Sequence, residues 1–545
     1  MSKLRRTGVV LGSMGLLLGA ACNPSLDVTN PNAPDTQRAN ASPADVEALA
    51  ISSIHSWYIG ATDYEPWLML SVTADALTCN FGNFGMRFNN LEPRIPYANS
   101  SSGGDRGTTE SPWKASYRGL VAANNAIRGF NSGLTFAGGA AEGDKFKRLA
   151  QFTQAASLTQ LALVFDRAFI ADENTDLNAP AVLSDYKAVS DAAVTKWAAL
   201  AAAEVGKTDT YDPSVIPLTF GPLDSPHIAR IANTMAALTL AYTPRTKAEA
   251  ATVDWAKVAS FAAKGIGTGT AGAPFDISVV GDYTNWYSGL TELGDGVSWA
   301  RVDMRLINRM DPSSPAKFTG TVPPKGTSAD ARFTTDYAYA GNVIGTASRG
   351  VYMQSPYYHQ RYYDYSSDGN DELGPTPWML AAESDLVLAE ALIRSGGSLT
   401  TAAALINNTR VTRGNLTPAT AADGAATLLA DIDYERDVEL IATNGFTLFQ
   451  RRHVDGLQKG TVLQLPIPAE ELETDGLPIY TFGGVGGTSA AAYVGSTAPT
   501  LRNIVSGNAE RLLSGTRTVM LATPSGKMIP LTFPAAERSR HQKGL

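Results

Sequence analysis

Three stretches of the sequence combine aromatic side chains with arginine and asparagine, a mixture that could bind a sugar. They lie at residues 81–90, at 283–287 with 299–303 after it, and at 352–365. A pyranose ring has an apolar C–H face that an aromatic ring can cover, while arginine, asparagine and aspartate can bind its hydroxyl groups. The candidate contacts in these stretches are Phe84, Arg87, Trp286, Tyr287, Trp299, Arg301, Tyr358 and Arg361.

Packing is the alternative role for every one of these aromatic residues. The tyrosines of the third stretch, which surround Arg361, could equally join two parts of the chain. Four other tryptophans lie on apolar faces of predicted helices, where packing is favoured: Trp57, Trp197, Trp255 and Trp378.

Signatures of catalysis are absent from the sequence. The five histidines are scattered without HExxH spacing, and no G-x-S-x-G motif occurs. A glycosidase needs two carboxylates at a set distance in space, which a sequence does not reveal. Glu435, Asp437 and Glu439 share a predicted helix with Arg436 and are expected to form ion pairs. The sequence therefore favours a binding protein over an enzyme, with a secreted hydrolase as the alternative.

Metal ligands and cysteines are equally sparse. Residues 368–372 (Asp-Gly-Asn-Asp-Glu) place oxygen ligands in a tight loop that could hold Ca²⁺, but they lack EF-hand spacing, and a solvated turn is favoured. The two cysteines, Cys22 and Cys79, form no CxxC pair, which excludes a cysteine metal site. We therefore predict no cofactor and a buried, unreactive Cys79.

Composition and charge limit the class of partner. The 545 residues are 44% apolar and 18% charged, as in a globular protein. The net charge is −8, and loss of three basic residues near the N-terminus would bring it to about −11. Nucleic acids are bound through a basic face, so nucleic acid is not an expected partner.

The N-terminus has the pattern of a secretory leader. Three basic residues precede an apolar run at 9–18, and small residues then lead to Cys22. A run this short does not span a bilayer of roughly 30 Å as a helix, but it suits a signal peptide. We predict a lipoprotein signal peptide at 1–21, lipidation of Cys22 and a tether at 22–41. An ordinary secretory cleavage without lipid is the alternative.

Helical periodicity dominates the rest of the chain. Apolar residues recur at helical spacing in paired segments that are similar to degenerate tetratricopeptide-type hairpins. Residues 265–375 form an irregular insert rich in Gly, Pro, Ser, Thr and Tyr. The predicted helices are 42–59, 67–77, 113–130, 144–165, 184–205, 227–242, 253–263, 377–393, 399–413 and 425–450.

Seven short motifs, taken in order, resemble those of SusD/RagB-type outer-membrane nutrient-binding lipoproteins. They include Trp113-x₃-Tyr117 followed by Asn124-Asn125, and the late run from Glu435 to Leu440. The usual Gly-Asp-Val-Pro after the helix that ends near Phe165 is absent, and residues 476–545 extend beyond the point where such proteins end. The matching segments are 26–34, 113–127, 150–169, 383–391, 407–410, 435–452 and 465–472.

This resemblance implies a mainly α fold, with four tetratricopeptide-like helix pairs and a loop-rich second half, over residues 42–475. It implies a lipid-anchored outer-membrane protein that faces the cell exterior and passes an oligomeric nutrient to a TonB-dependent transporter of the SusC type. The nutrient would be an oligosaccharide, with a peptide as the alternative. A purely structural helical-repeat lipoprotein is a further alternative, and the role of 476–545 is not implied.

Overall fold

The computed structural model describes residues 42–176, 179, 181–281, 285–289, 300–362 and 374–486, with the backbone of two strands at 516–522 and 528–534. Several predictions concern residues outside these ranges. They are the signal peptide at 1–21, the tether at 22–41 with Cys22, the candidate contact Trp299, the loop at 368–372 and most of the extension at 476–545.

Helices are the main regular structure of the described chain, and the start of α1 follows ordinary capping chemistry. The side chain of Ser42 accepts a hydrogen bond from the amide of Asp45, with Pro43 in the first turn. The helices are α1 (Pro43–Thr62), α2 (Met69–Thr73), α3 (Met86–Asn89), α4 (Gly107–Phe130), α5 (Gly139–Val164), α6 (Tyr186–Ala203), α7 (Ser225–Tyr242), α8 (Lys247–Ala250), α9 (Trp255–Ala262), α10 (Met304–Met310), α11 (Arg332–Thr335), α12 (Ala381–Arg394), α13 (Leu399–Arg410), α14 (Gly424–Glu439), α15 (Thr447–Arg452) and α16 (Ala469–Thr474).

The long helices stack side by side in the order of the chain. Helices α1 and α4, α5 and α6, α7 and α9, and α12 and α13 form four pairs, and each pair packs against the next. Close packing is possible between α1 and α4 because Gly60 faces Ala115, whose Cβ lies 2.2 Å from the place where a Cβ of residue 60 would be. The predicted mainly α scaffold of tetratricopeptide-like helix pairs is confirmed.

Strands are short and form antiparallel pairs. One of these pairs joins a strand near the start of the irregular insert to a strand at its end, so the two ends of the insert lie side by side. The pairs are β1 (Leu77–Thr78) with β5 (Arg301–Val302), β2 (Arg167–Phe169) with β3 (Leu183–Asp185), β4 (Ile277–Gly281) with β8 (Gly374–Met379), β6 (Tyr337–Tyr339) with β7 (Tyr357–His359), and β9 (Thr516–Ala522) with β10 (Met528–Pro534).

Two apolar cores hold these elements together. The first lies between the stacked helices and includes Trp57, Trp113 and Trp197. The second lies under the irregular insert, where α2 and α10 pack against Phe333 and its neighbours. Cys79 belongs to this second core and is only 2% exposed, which confirms the prediction that it is buried.

Helix α14 carries the acidic residues for which ion pairs were predicted, and the structure confirms those pairs. Arg332, fully buried at the start of α11, lies 2.6 Å from Glu435, 3.2 Å from Glu439 and 2.8 Å from Asp330. Arg413 lies 2.8 Å from the other carboxylate oxygen of Glu439. These contacts join the insert to the helical scaffold.

The opposite side of α14 is paired in the same way. Arg436 lies 2.8 Å from Glu390 of α12. Asp437 binds Arg305 at 2.8 Å and also contacts Arg309.

Among the described residues, no helix is both long and apolar enough to cross a bilayer.

Candidate ligand-binding site

The first two aromatic stretches meet in space. The ring of Phe84 stacks on Tyr64, with 4.2 Å between the ring centroids and 18° between the planes. Tyr64 in turn contacts Tyr287 edge-on at 5.5 Å. Tyr64 belongs to a tight helical turn, Tyr64–Leu68, between α1 and α2, so three separate parts of the chain contribute these rings.

Trp286 extends this set toward α1. Its indole lies 4.8 Å from the ring of His55 and 5.3 Å from that of Tyr58. We call the rings of His55, Tyr58, Tyr64, Phe84, Trp286 and Tyr287 the aromatic row. Trp286 belongs to the first core, whereas Tyr64 and Phe84 pack on the second. The row therefore lies where the two cores meet.

Exposure differs along the row. Trp286 is 9% exposed and Tyr287 only 2%, while Tyr64, Phe84 and His55 are half-buried. Phe88, one turn beyond Phe84, is 42% exposed. His55, Tyr64 and Phe84 are thus the more accessible rings of the row, and the other three rings are buried.

Two aromatic residues of the row have a left-handed backbone conformation. Phe84 and Trp286 both have φ of 54°, which a bulky side chain rarely adopts. Such conformations cost about 1–3 kcal/mol each and concentrate at functional sites.

Two glycines beside these residues pack closely against other parts of the chain. Gly85, also left-handed, lies against α4 so closely that a Cβ would approach Thr108 to 2.2 Å. Gly281 has no room for a Cβ because the carbonyl oxygen of Trp286 lies 2.3 Å from that position. A side chain larger than glycine would therefore clash at either position.

Burial shifts the pKa values of two titratable groups in and beside the row. Burial lowers the pKa of His55 to about 4, so this ring is neutral at neutral pH. Burial also raises the pKa of Glu65 to about 7, and Ser111 donates a hydrogen bond of 2.9 Å to its carboxylate. Arg87 is half-buried on α3, and its Nε donates to no atom of the part of the chain that the structure describes. Hydrogen-bonding groups thus flank the rings.

The third stretch forms contacts of its own. Arg301, 1% exposed, lies 5.6 Å above the ring of Tyr358 in β7. Arg361 lies 2.7 Å from Glu439. Burial of Arg361 acts to lower the pKa of its guanidinium, but nearby groups that include the Glu439 carboxylate raise this pKa overall. Burial lowers the pKa of His359 to about 3. Arg301 thus packs on Tyr358, which is half-buried, and Arg361 is paired with Glu439; their predicted contact with a ligand stays a prediction.

Three residues of the row were not predicted: His55, Tyr58 and Tyr64. A usable signal was the Asp63-Tyr64-Glu65-Pro66 segment, which places an aromatic residue and a proline in the break between two helices. Among the described residues, no cluster of three or more His, Cys, Asp or Glu side chains could hold a metal ion.

Comparison with known proteins gives matches to solved structures. No protein-family profile matches the sequence, and no curated protein matches it. A SusD-like carbohydrate-binding protein from Bacteroides fragilis has 17% identity and a TM-score of 0.53, over 76% of this chain and 86% of that one. A SusD superfamily protein from Parabacteroides distasonis has 13% identity and a TM-score of 0.56, over 81% and 98%.

A third neighbour is named for its ligand. Surface glycan-binding protein A from Bacteroides uniformis has 14% identity and a TM-score of 0.52, over 79% of this chain and 98% of that one. Each alignment covers most of both chains, although few residues are shared. The chain therefore has the SusD-like fold.

Proposed function

We propose that this protein is a surface lipoprotein that binds an oligosaccharide and delivers it to a TonB-dependent transporter of the SusC type. The observation that carries the proposal is the aromatic row, whose two partly open rings, Phe84 and Tyr64, are stacked and supported from behind. The similar structures from Bacteroides fragilis and Bacteroides uniformis, named as carbohydrate-binding and surface glycan-binding proteins, support the ligand class.

The chemistry of binding follows from the open rings and the donors beside them. The exposed face of the Phe84–Tyr64 stack covers the C–H face of one sugar ring, which removes apolar surface from water. Arg87 supplies N–H donors for hydroxyl groups at one end.

The anchor and the transporter complete the proposal. Lipids on Cys22 hold the protein at the outer membrane, and residues 22–41 allow the body to lie over the transporter. The protein itself performs no covalent chemistry, so the bound oligosaccharide leaves unchanged.

The test is an array of oligosaccharides and peptides probed with the wild type and with Phe84→Ala. We expect one class of oligosaccharide to bind, and the variant to bind it about tenfold more weakly, because a stacked aromatic contact contributes about 0.5–1.5 kcal/mol beyond its buried area. Phe220→Ala is the matched control, since Phe220 is a half-buried ring stacked at 4.4 Å on His227, outside the row.

The possible outcomes separate the alternatives. Binding of peptides alone would show that the ligand class is wrong. Release of shorter sugars would identify a hydrolase. Equal loss of binding in Phe84→Ala and Phe220→Ala would show that the row is not the site. Copurification of the lipidated protein with a TonB-dependent barrel tests the delivery step, and its failure would leave glycan binding standing alone.

A further inference from the structure

A second pocket lies between α10, α14 and α15, on residues that the proposed function does not use. It encloses about 390 Å³ of empty space, including its open mouth. We call it the arginine pocket. The charged and amide side chains that line it are Arg309, Asp433, Arg436, Asp437, Gln450 and Arg451.

Arg451 is the cation of this pocket that lacks a carboxylate of its own. Its guanidinium donates to the backbone carbonyls of Ala74 and Gly456. The nearest carboxylate in the described chain is that of Asp75, 3.9 Å away, and Asp75 already binds Arg94. Burial and the neighbouring Arg305 lower the pKa of Arg451 to about 10, while Asp437, Asp75 and Asp303 act in the opposite direction.

Two other lining residues have unused hydrogen-bonding atoms. Arg436, 2% exposed, lies 2.8 Å from Glu390, yet within the described residues its Nε and Nη1 donate to no acceptor. Gln450 donates to Glu383, but its Oε1 accepts nothing from the described chain. Buried polar atoms normally have partners, so these are expected to be supplied from outside the protein.

We propose that the arginine pocket binds a small carboxylate. A carboxylate beside Arg451 would give this guanidinium a closer anion than Asp75 at 3.9 Å, and guanidinium groups are the donors that bind carboxylates best. Gln450 contributes no charge. Asp433 lines the pocket, where its charge interacts with Arg436 and Arg309, and this negative charge opposes such a ligand. This inference is independent of the aromatic row.

Asp433→Asn tests the proposal because it removes one negative charge from the pocket and keeps the shape of the side chain. Binding of ¹³C-labelled acetate to the full chain is followed by NMR at constant ionic strength, with glycerol as the neutral comparison. We expect acetate to bind the wild type and to bind Asp433→Asn about tenfold more tightly, because one nearby negative charge is removed. Arg451→Gln should weaken acetate binding about tenfold.

Three results would overturn the proposal. The pocket would be assigned to a neutral polyol if neither protein bound acetate and Asp433→Asn bound glycerol more weakly than the wild type does. Absence of binding in both proteins would mean that the pocket holds water alone. Acetate binding that both substitutions leave unchanged would place the acetate at another site.

Discussion

Arg332→Met tests the buried network that joins the irregular insert to the helical scaffold. The guanidinium is 0% exposed and lies within 3.2 Å of Asp330, Glu435 and Glu439. Methionine removes the cation that Asp330 and Glu435 share, whereas Glu439 keeps Arg413 and Arg361 as partners. Removing one partner of a buried ion pair costs about 3–5 kcal/mol, so we expect the free energy of unfolding to fall by at least about 3 kcal/mol at pH 8.

The loss should shrink as the pH falls. Burial already raises the pKa of Glu435 above its value in the unfolded chain, and loss of the cation should raise it further. A raised pKa in the folded state favours folding at low pH, and this contribution is lost as the pH rises through the folded-state pKa. The variant should therefore be closest to the wild type near pH 5 and least stable at pH 8.

Urea unfolding followed by tryptophan fluorescence at pH 5 and pH 8 measures both effects. Arg349→Met is the matched control, because Arg349 is exposed, and its loss should change stability by less than about 0.5 kcal/mol. Adding Glu435→Gln to Arg332→Met should recover part of the loss at pH 8. A loss below about 1 kcal/mol, or one equal at both pH values, would refute the reasoning.

Three further substitutions test other parts of the structure. Burial raises the pKa of Glu65 to about 7, so the wild type should lose up to about 3 kcal/mol of stability as the pH rises from 5 to 8. Glu65→Gln should lack this loss, and a variant with the same pH dependence as the wild type would contradict the reasoning. Gly281→Ala should destabilise the fold by about 1–3 kcal/mol because its Cβ would lie 2.3 Å from the Trp286 carbonyl oxygen, whereas Gly104→Ala, with open space around it, should be neutral in the same thermal unfolding assay. Trp113→Ala should cost about 3–5 kcal/mol in urea unfolding, since the indole is 0% exposed; a cost below 1 kcal/mol would contradict its place in the first core.

The helical scaffold could be predicted because each long helix repeats an apolar face. Local periodicity is enough for this, and the predicted helices at 113–130, 227–242 and 399–413 have observed counterparts in α4, α7 and α13. The ion pairs of α14 could also be anticipated, because acids and an arginine so close together on a packed helix need partners.

The predicted helix at 425–450 is wrong as a single element. The structure has α14 and α15 with a break between them, where Asn444 and Gly445 have φ of 25° and 70°. Asn-Gly is a turn signal that the apolar pattern on either side concealed.

The site was less predictable than the scaffold. Residue types marked Phe84 and Trp286 as candidates, but their proximity through Tyr64 and Tyr287 depends on contacts between distant parts of the chain. The left-handed conformations of Phe84 and Trp286 have no local sequence cause, since bulky residues avoid them. Whether any of the candidate residues contacts a ligand stays a prediction.

The position of the aromatic row between two cores has a consequence for unfolding. Proteins open locally in cooperative units, and two separate apolar cores are natural units of this kind. A ligand that touches both Trp286, in the first core, and Phe84, on the second, would link their opening. Hydrogen exchange of the insert and of the helical stack should then slow together when the site is filled. Ligand binding would in this way stabilise both cores against local unfolding.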